Sequence, residues 1–258
     1  MRDTSSDTLI SMEIELDKAK LYFEIQGNPD NPPIVLWHGA GCTLRMWDLV
    51  IEELKNFYFT IAFDVRGAGN SINNDLNEEA YSFERYSEDL NSILAFLNLD
   101  QVHIWSMAWG TRAAIAYSSL NPTKILSAAF SDASIEGADV NAQRLGLKDA
   151  LVKQEELGIE RFNPPAGWNI HANKDSAARS LSAAAKFDLH EAFNQIDFPF
   201  MIMTGDHDPN LSSSKDMVSS SSTGELKVLE NVGHGSVLQR PDLTSKNFLE
   251  WHKRILGA

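Results

Sequence analysis

The stretch Val102-His103-Ile104-Trp105-Ser106-Met107-Ala108-Trp109-Gly110-Thr111-Arg112 decides how this chain folds. Its first four residues are mostly apolar and predict a short buried strand. Small residues then occupy every second position (Ser106, Ala108 and Gly110), as a crowded, sharp turn requires. The following helix carries three alanines within residues 113–116, so it can lie close against a sheet. The stretch therefore predicts a strand, a tight turn and a closely packed helix.

Short β-type runs alternate with helix-period segments on both sides of this unit. The alternation predicts an α/β fold with a mostly parallel, eight-stranded sheet and helices on both faces. The predicted strands cover residues 9–16, 21–26, 34–37, 57–63, 102–105, 125–130, 200–203 and 226–229. The first two meet at Asp17-Lys18 and predict an antiparallel hairpin, and Ser82 is a predicted helix N-cap.

The pattern changes between residues 135 and 196, a range that we call the inserted segment. It contains no convincing strand, and helical stretches at 142–157, 176–185 and 189–196 surround an irregular run that includes Trp168. We interpret it as a helical cap inserted into a core formed by residues 1–134 and 197–258.

Further glycine-containing turns follow other predicted strands. They are His38-Gly39-Ala40-Gly41, Gly205-Asp206-His207-Asp208-Pro209 and Asn231-Val232-Gly233-His234-Gly235. A fourth, residues 64–71, contains a G-x-G fragment but not the longer G-x-G-x-x-G, so nucleotide binding is not supported.

Taken in chain order, these turns resemble those of the α/β-hydrolase superfamily, and the resemblance covers nearly the whole chain. Residues 106–110 resemble the G-x-S-x-G turn, with Ala108 where the family has its nucleophilic serine. The resemblance implies that Asp208 is the catalytic acid and His234 the base. The histidine would take the proton of the nucleophile and return it to the leaving group, while Asp208 orients the imidazole.

Residues 38–41 resemble the H-G-x loop that helps to form the family's oxyanion hole. The resemblance implies that the backbone N–H groups of Ala40 and Trp109 bind the developing oxyanion, with Gly41 as an alternative to Ala40. Residues 64–71 resemble a structural D-x-R-G-x-G-x-S loop of the same family.

Three alternative assignments within these turns remain open. Ser106 as the nucleophile would shorten the strand and put Ala108 and Gly110 out of register. Asp132, at the end of the preceding predicted strand, is an alternative acid, and Asp206 is a weaker one.

Residues that line the substrate are less clearly indicated. We predict contacts with Gly41, Trp47 and Trp168. Further candidates, most of which also suit simple packing or ion pairing, are Phe162, Phe187, His171, His190, Arg45 and Arg112.

Ala108 determines what activity to expect. A methyl group cannot attack a carbonyl, and loss of the nucleophile costs about a millionfold in turnover. We therefore expect a serine hydrolase of a carboxylic ester or lactone, acting through an acyl-enzyme, in an inactive form with an engineered alanine. Alternatives are a carbon–carbon bond hydrolase, a natural pseudo-enzyme or small-molecule receptor, and proton abstraction by the His–Asp pair alone. The presence of both Asp208 and His234 favours the engineered enzyme over the receptor.

The amino-acid composition restricts the classes of partner and the compartment to expect. The 258 residues carry a formal net charge of −14, which disfavours nucleic acid and anionic membranes. The single cysteine, Cys42, excludes an internal disulfide and fits a reducing compartment. Residues 1–7 do not begin a signal-type segment, and no apolar run is long enough to span a bilayer. We expect a cytoplasmic protein with a small-molecule ester or lactone as its partner. No cofactor or metal ligand set is predicted, and the oligomeric state is left open.

Overall fold

A mostly parallel sheet crosses the centre of the molecule in the computed structural model, which describes residues 8–75 and 77–257. The first seven residues, whose sequence suggested no signal segment, lie outside the described residues. The strands are β1 Ile10–Leu16, β2 Ala19–Gln26, β3 Pro33–Trp37, β4 Phe59–Phe63, β5 Ile72–Asn73, β6 Val102–Met107, β7 Ile125–Ser131, β8 Phe200–Gly205 and β9 Gly224–Leu229. The helices are α1 Asp48–Leu54, α2 Phe83–Phe96, α3 Trp109–Leu120, α4 Val140–Glu156, α5 Lys174–Arg179, α6 Leu189–Asn194, α7 Leu211–Ser219, α8 Ser236–Gln239 and α9 Pro241–Leu256.

The sheet has the order β1-β2-β4-β3-β6-β7-β8-β9. β1 and β2 form the predicted hairpin, β2 and β4 are also antiparallel, and every neighbouring pair from β4 to β9 is parallel. The predicted count of eight strands misses β5, which pairs with Ala19 and Lys20 of β2. Two residues are too few to produce the alternation by which a strand is predicted from sequence.

Alternating residues of the central strands enter different apolar layers. Val35 and Trp37 of β3 belong to the cluster under α2 and α3, whereas Ile34 and Leu36 belong to the cluster under α1 and α9. This alternation follows from the period of two along a strand, and it buries both faces of the sheet. Ser82 caps α2 as predicted, because its Oγ accepts the N–H of Arg85 at 3.2 Å.

The inserted segment contains α4, α5 and α6 and contacts the turns that follow several strands. The Thr43 N–H, after β3, donates to the Trp168 carbonyl at 2.7 Å, and the Ala172 N–H donates to the Gly69 carbonyl, after β4, at 2.9 Å. Gln154 of α4 donates to the carbonyl of Asn231, after β9, at 2.7 Å. These contacts join the inserted segment to turns at the carboxyl ends of the strands. No helix among the described residues is long and apolar enough to cross a membrane.

Candidate active site

The turn between β6 and α3 holds Ala108 in a strained conformation. Its φ is +51° and its ψ is −110°, values that residues with a Cβ rarely adopt. The Ala108 N–H donates to the Ser131 carbonyl at the end of β7, at 2.8 Å, which fixes the turn to the neighbouring strand. The half-buried side chain of Ala108 thus stands at the carboxyl edge of the sheet, between the end of β6 and the start of α3.

Two glycines allow the loop after β3 to approach this turn. A Cβ on Gly110 would meet the carbonyl oxygen of Trp37 at 2.7 Å and that of His38 more closely still. A Cβ on Gly39 would lie 2.6 Å from the Met107 Cε. The crowding that the small residues predicted is therefore present, and it brings residues 38–41 beside the beginning of α3.

Ser106 is an unsuitable nucleophile. Its side chain is fully buried, and its Oγ lies 3.1 Å from the Thr111 Oγ1. Ser106 thus packs inside the turn, while position 108 is half-buried at its edge.

Asp208 and His234 are joined directly. His234 Nδ1 donates to Asp208 Oδ2 at 2.9 Å, which leaves Nε2 as the ring nitrogen not bound to the carboxylate. The Asp208 side chain is fully buried, and its Oδ1 accepts the N–H of Asn210 at 3.0 Å. Asp208 follows β8 and His234 follows β9, so neighbouring parallel strands deliver both residues to the edge that holds Ala108.

The surroundings of His234 keep its imidazole basic. Burial by itself would lower the pKa of His234, but its hydrogen bond to Asp208 and the charges of Asp132 and Asp208 outweigh burial and raise the pKa. The positive charge of Arg112 acts against this rise in the His234 pKa. The Arg112 Nε donates to the Ser134 carbonyl at 2.9 Å.

The alternative acids occupy different positions. Asp132 Oδ2 accepts the N–H groups of Gly235 and Ser236 at 2.9 and 2.8 Å, and it forms no hydrogen bond with the His234 ring. Asp206 Oδ1 accepts the Val232 N–H at 3.2 Å. Of the three acids, Asp208 alone holds the imidazole directly.

The two N–H groups predicted for the oxyanion lie on adjoining elements. Trp109 begins α3, and the first N–H groups of a helix have no acceptor within that helix. No hydrogen bond among residues 8–75 and 77–257 uses the N–H of Ala40, which lies on the exposed loop beside Gly110. Both donors are available to an added acceptor.

The family model for the alpha/beta hydrolase fold matches residues 32–169, which is more than half of the chain. The chain belongs to the alpha/beta hydrolase fold family. It is 23% identical over 254 residues to 3-oxoadipate enol-lactonase 1 of Acinetobacter baylyi, covering 91% of this chain and 94% of that protein. It is 26% identical over 187 residues to the proline iminopeptidase of Lactobacillus delbrueckii subsp. lactis, covering 71% of this chain and 62% of that protein. The chain spans less than two thirds of the proline iminopeptidases that it matches.

Solved structures show the same fold. A hydrolase from Pseudomonas aeruginosa PA01 superposes with a TM-score of 0.76 at 20% identity, over 96% of this chain and 98% of that chain. Membership of this hydrolase family and the likeness to these structures confirm the fold class that the turns predicted.

Two histidines of this family member connect loops. His38 Nε2 accepts the Val65 N–H at 3.0 Å, and burial lowers the pKa of His38 to about 4, so its ring stays neutral. His171, a candidate for substrate contact, accepts the Gly69 N–H at 2.9 Å, and its other ring nitrogen lies 3.1 Å from the Gly41 carbonyl. The sequence identified the His38 loop, but the bridging role of His171 depends on a contact across more than a hundred residues.

The predicted substrate residues separate into two groups. Gly41 is exposed with φ +68°, and the half-buried Trp168 packs on the edge of the apolar cluster that Ala108 also borders. Trp47 corrects the prediction: it is fully buried, with its ring against Trp105, and has no surface to offer a ligand. Periodicity located Trp47 at the start of a helix but did not show which way it faces.

The remaining candidates contact other side chains of the protein or are exposed. Phe187 packs edge-on against Phe83. Exposed His190 lies 3.2 Å from Glu136, and Arg45 pairs with Glu24 and with Asp48. Phe162 lies on the inserted segment with 37% of its surface exposed.

One group of possible metal ligands occurs among the described residues. A side-chain ligand atom from each of Asp132, Asp208 and His234 lies within 4.8 Å of the others, and we call this set the acid–histidine cluster. Asp208 is bonded to the histidine, and Asp132 Oδ2 is bonded to two backbone N–H groups. Most of the possible ligand atoms of this set are therefore already engaged in hydrogen bonds within the protein.

Proposed function

We propose that this chain is a carboxylic-ester or lactone hydrolase whose nucleophile position holds Ala108, so that it binds such a compound without hydrolysing it. The single observation that carries the proposal is the Asp208–His234 hydrogen bond at the same sheet edge as the strained turn of Ala108. An enol-lactonase among the relatives supports the substrate class.

In the chemistry that we propose for a serine at position 108, His234 Nε2 takes the hydroxyl proton as the oxygen attacks the substrate carbonyl. The N–H groups of Ala40 and Trp109 stabilise the negative oxygen of the tetrahedral intermediate. The C–O bond to the leaving group then breaks, and the imidazolium donates its proton to that group. Water repeats the sequence on the acyl-enzyme and releases the acid. With Ala108, the first bond cannot form.

We further propose that the inserted segment is the lid of this site. Its contacts with Thr43, Gly69 and Asn231 hold it over the turns at the carboxyl edge, and a covered site excludes water from the reacting carbonyl. Trp168 is the aromatic residue that this proposal assigns to the substrate side.

The Ala108→Ser variant tests the proposal. We expect it to hydrolyse p-nitrophenyl acetate or δ-valerolactone at least about ten-thousandfold faster than the chain with Ala108. The natural comparison is Ala108→Val, which also enlarges the side chain but supplies no hydroxyl. The Ala108 chain should bind the intact ester without consuming it.

Ala108 itself favours a second candidate, a small-molecule receptor that never used a nucleophile. A well-folded Ala108→Ser variant that is inactive towards both esters and lactones would support the receptor and contradict the hydrolase.

A further inference from the structure

Asp132 is a fully buried carboxylate that the chemistry above does not use. It follows β7 in the left-handed region, with φ +54°. Its backbone N–H donates to the Met203 carbonyl at 2.8 Å, and its carbonyl accepts from Asn210 Nδ2 at 2.9 Å. Asp132 is therefore fixed to the end of β8 and to the turn that carries Asp208.

The side chain of Asp132 holds the turn that carries His234. Oδ2 accepts the N–H groups of Gly235 and Ser236, the two residues that follow the histidine. Oδ1 is buried and has no hydrogen-bond partner within the described parts of the chain. An unpaired buried carboxylate oxygen is costly unless a positive charge lies close to it.

The charged neighbours indicate where that positive charge arises. Within the acid–histidine cluster, Asp132 faces one other carboxylate, Asp208, and one group that can become cationic, His234. Arg112 is the further cation whose charge reaches His234, and its guanidinium is turned towards the carbonyls of Ser134 and Glu136. The imidazolium of His234 is thus the group that most directly compensates Asp132.

The hydrogen bonds alone do not require an acid at position 132. An asparagine carbonyl oxygen can accept the same two N–H groups, so what a carboxylate adds is a negative charge. That charge lies in a buried place, where its effect on the imidazole is weakly screened.

We propose that Asp132 is a positioning residue for His234 that also acts through its charge, supporting the protonated imidazole together with Asp208. The proposal deepens the proposed function, on which its catalytic consequence rests. Burial, together with the charge of Asp208, raises the pKa of Asp132 to about 7. Because Asp132 lies close to His234, the charge of each group affects proton binding by the other, and the two titrations are coupled.

The experiment follows the His234 ring by NMR titration in the chain with Ala108, so that no activity is needed. We expect Asp132→Asn to lower the apparent pKa of His234 by about one unit or more, the effect of removing one close charge. Asp206→Asn is the matched control, because Asp206 also accepts a backbone N–H of this turn, that of Val232, but lies outside the acid–histidine cluster. Asp132→Glu should keep the His234 pKa nearer to that of the parent than Asp132→Asn does.

A folded Asp132→Asn variant whose His234 titrates as in the parent overturns the proposal, as does an equal shift in Asp206→Asn. If Asp132→Asn does not fold, Asp208→Asn decides. With Asp132 still charged, the His234 pKa should stay above those of the buried histidines His103 and His252 in the same titration, whereas a fall to their level means that burial acts unopposed and contradicts the role of Asp132.

An activity measurement tests the same shift independently of the NMR titration. In Ala108→Ser, Asp132→Asn should move the acidic limb of the kcat/KM profile to lower pH by the shift seen in the titration. An inactive Ala108→Ser variant would contradict the proposed function, while the titration would still test Asp132.

Discussion

The two ends of strand β6 differ in how their buried polar groups are satisfied. Near the amino end, His103 Nδ1 lies 2.8 Å from Ser127 Oγ and 3.1 Å from His252 Nε2. The Tyr58 hydroxyl lies 2.5 Å from the other ring nitrogen of His252. This network connects β6, β7 and α9 through residues that have no positive φ, and it contains no carboxylate among its hydrogen-bonded members.

At the carboxyl end, the chain keeps features that cost stability. Ala108 is strained, Asp132 also has a positive φ, and Asp132 Oδ1 is buried with no hydrogen-bond partner among residues 8–75 and 77–257. His234 differs from His103 and His252 in the same way, since carboxylates raise its pKa whereas burial lowers theirs to about 4 and about 3. Because strain and perturbed ionisable groups gather at functional sites, the difference between the two ends supports the site that we propose at the carboxyl end of the strand.

The largest effect that this comparison predicts concerns activity. In the Ala108→Ser background, His234→Ala should lower the rate of ester hydrolysis by about ten-thousandfold, because no base then takes the serine proton. Ester hydrolysis rates at pH 8 measure the loss. In the same background, His190→Ala, which removes an exposed histidine that pairs with Glu136, should keep the rate within about threefold. A double variant that keeps the gained rate would mean that His234 is not the base.

The local sequence predicted the elements at both ends of β6 but not the contacts between them. A strand that ends in a glycine-containing turn is a local signal, so the turns of Asp208 and His234 could be predicted. The hydrogen bonds that Gly235 and Ser236 donate to Asp132 join residues more than a hundred positions apart, and nothing in either stretch of sequence indicates them.

The local sequence pattern also could not predict which way a side chain faces. Trp47 has the spacing of a helix that could face a pocket, but the packing of its ring on Trp105 is decided by tertiary structure. The two-residue strand β5 lacked enough residues to be predicted at all.

The next prediction tests whether the turn of Ala108 is as tight as its backbone indicates. Gly110→Ala should lower the free energy of unfolding by about 3 kcal/mol, because the new methyl group meets backbone carbonyl oxygens that cannot move away. Gly137→Ala is the control, since a Cβ there enters open space, and it should change stability by less than about 0.5 kcal/mol. Urea denaturation measures both, and equal effects would show that the turn is loose.

The network at the amino end predicts a pH dependence. His252 has a pKa lowered to about 3, mainly by burial, so between pH 6.5 and 3 the folded state binds fewer protons than the unfolded state. Its contribution to stability is present above pH 6.5 and is lost as the pH falls. The shifts of Asp132 and Asp64, whose pKa values are raised by burial, have the opposite sign, so the comparison must be made between variants.

We therefore expect the fall in unfolding free energy from pH 7 to pH 5 to be about 2 kcal/mol smaller in His252→Gln than in the parent. His103→Gln should act in the same direction, because burial lowers its pKa to about 4. Urea titrations at the two pH values give the differences. A fall as large in His252→Gln as in the parent would show that this buried histidine does not oppose protonation.

The smallest predicted effect measures the strain itself. Ala108→Gly exchanges a residue disfavoured at φ +51° for one that adopts it freely, a gain of about 1–2 kcal/mol. Glycine also loses more conformational entropy on folding, about 0.5–1 kcal/mol, so the net change should be a rise of up to about 1 kcal/mol. Ala95→Gly supplies the reference: Ala95 is exposed in α2, where the substitution relieves no strain and should cost about 0.5–1 kcal/mol. The two variants should therefore differ in opposite directions from the parent in urea denaturation. If Ala108→Gly is as destabilising as Ala95→Gly, the turn stores no strain, and the contrast between the two ends of β6 rests on the polar groups alone.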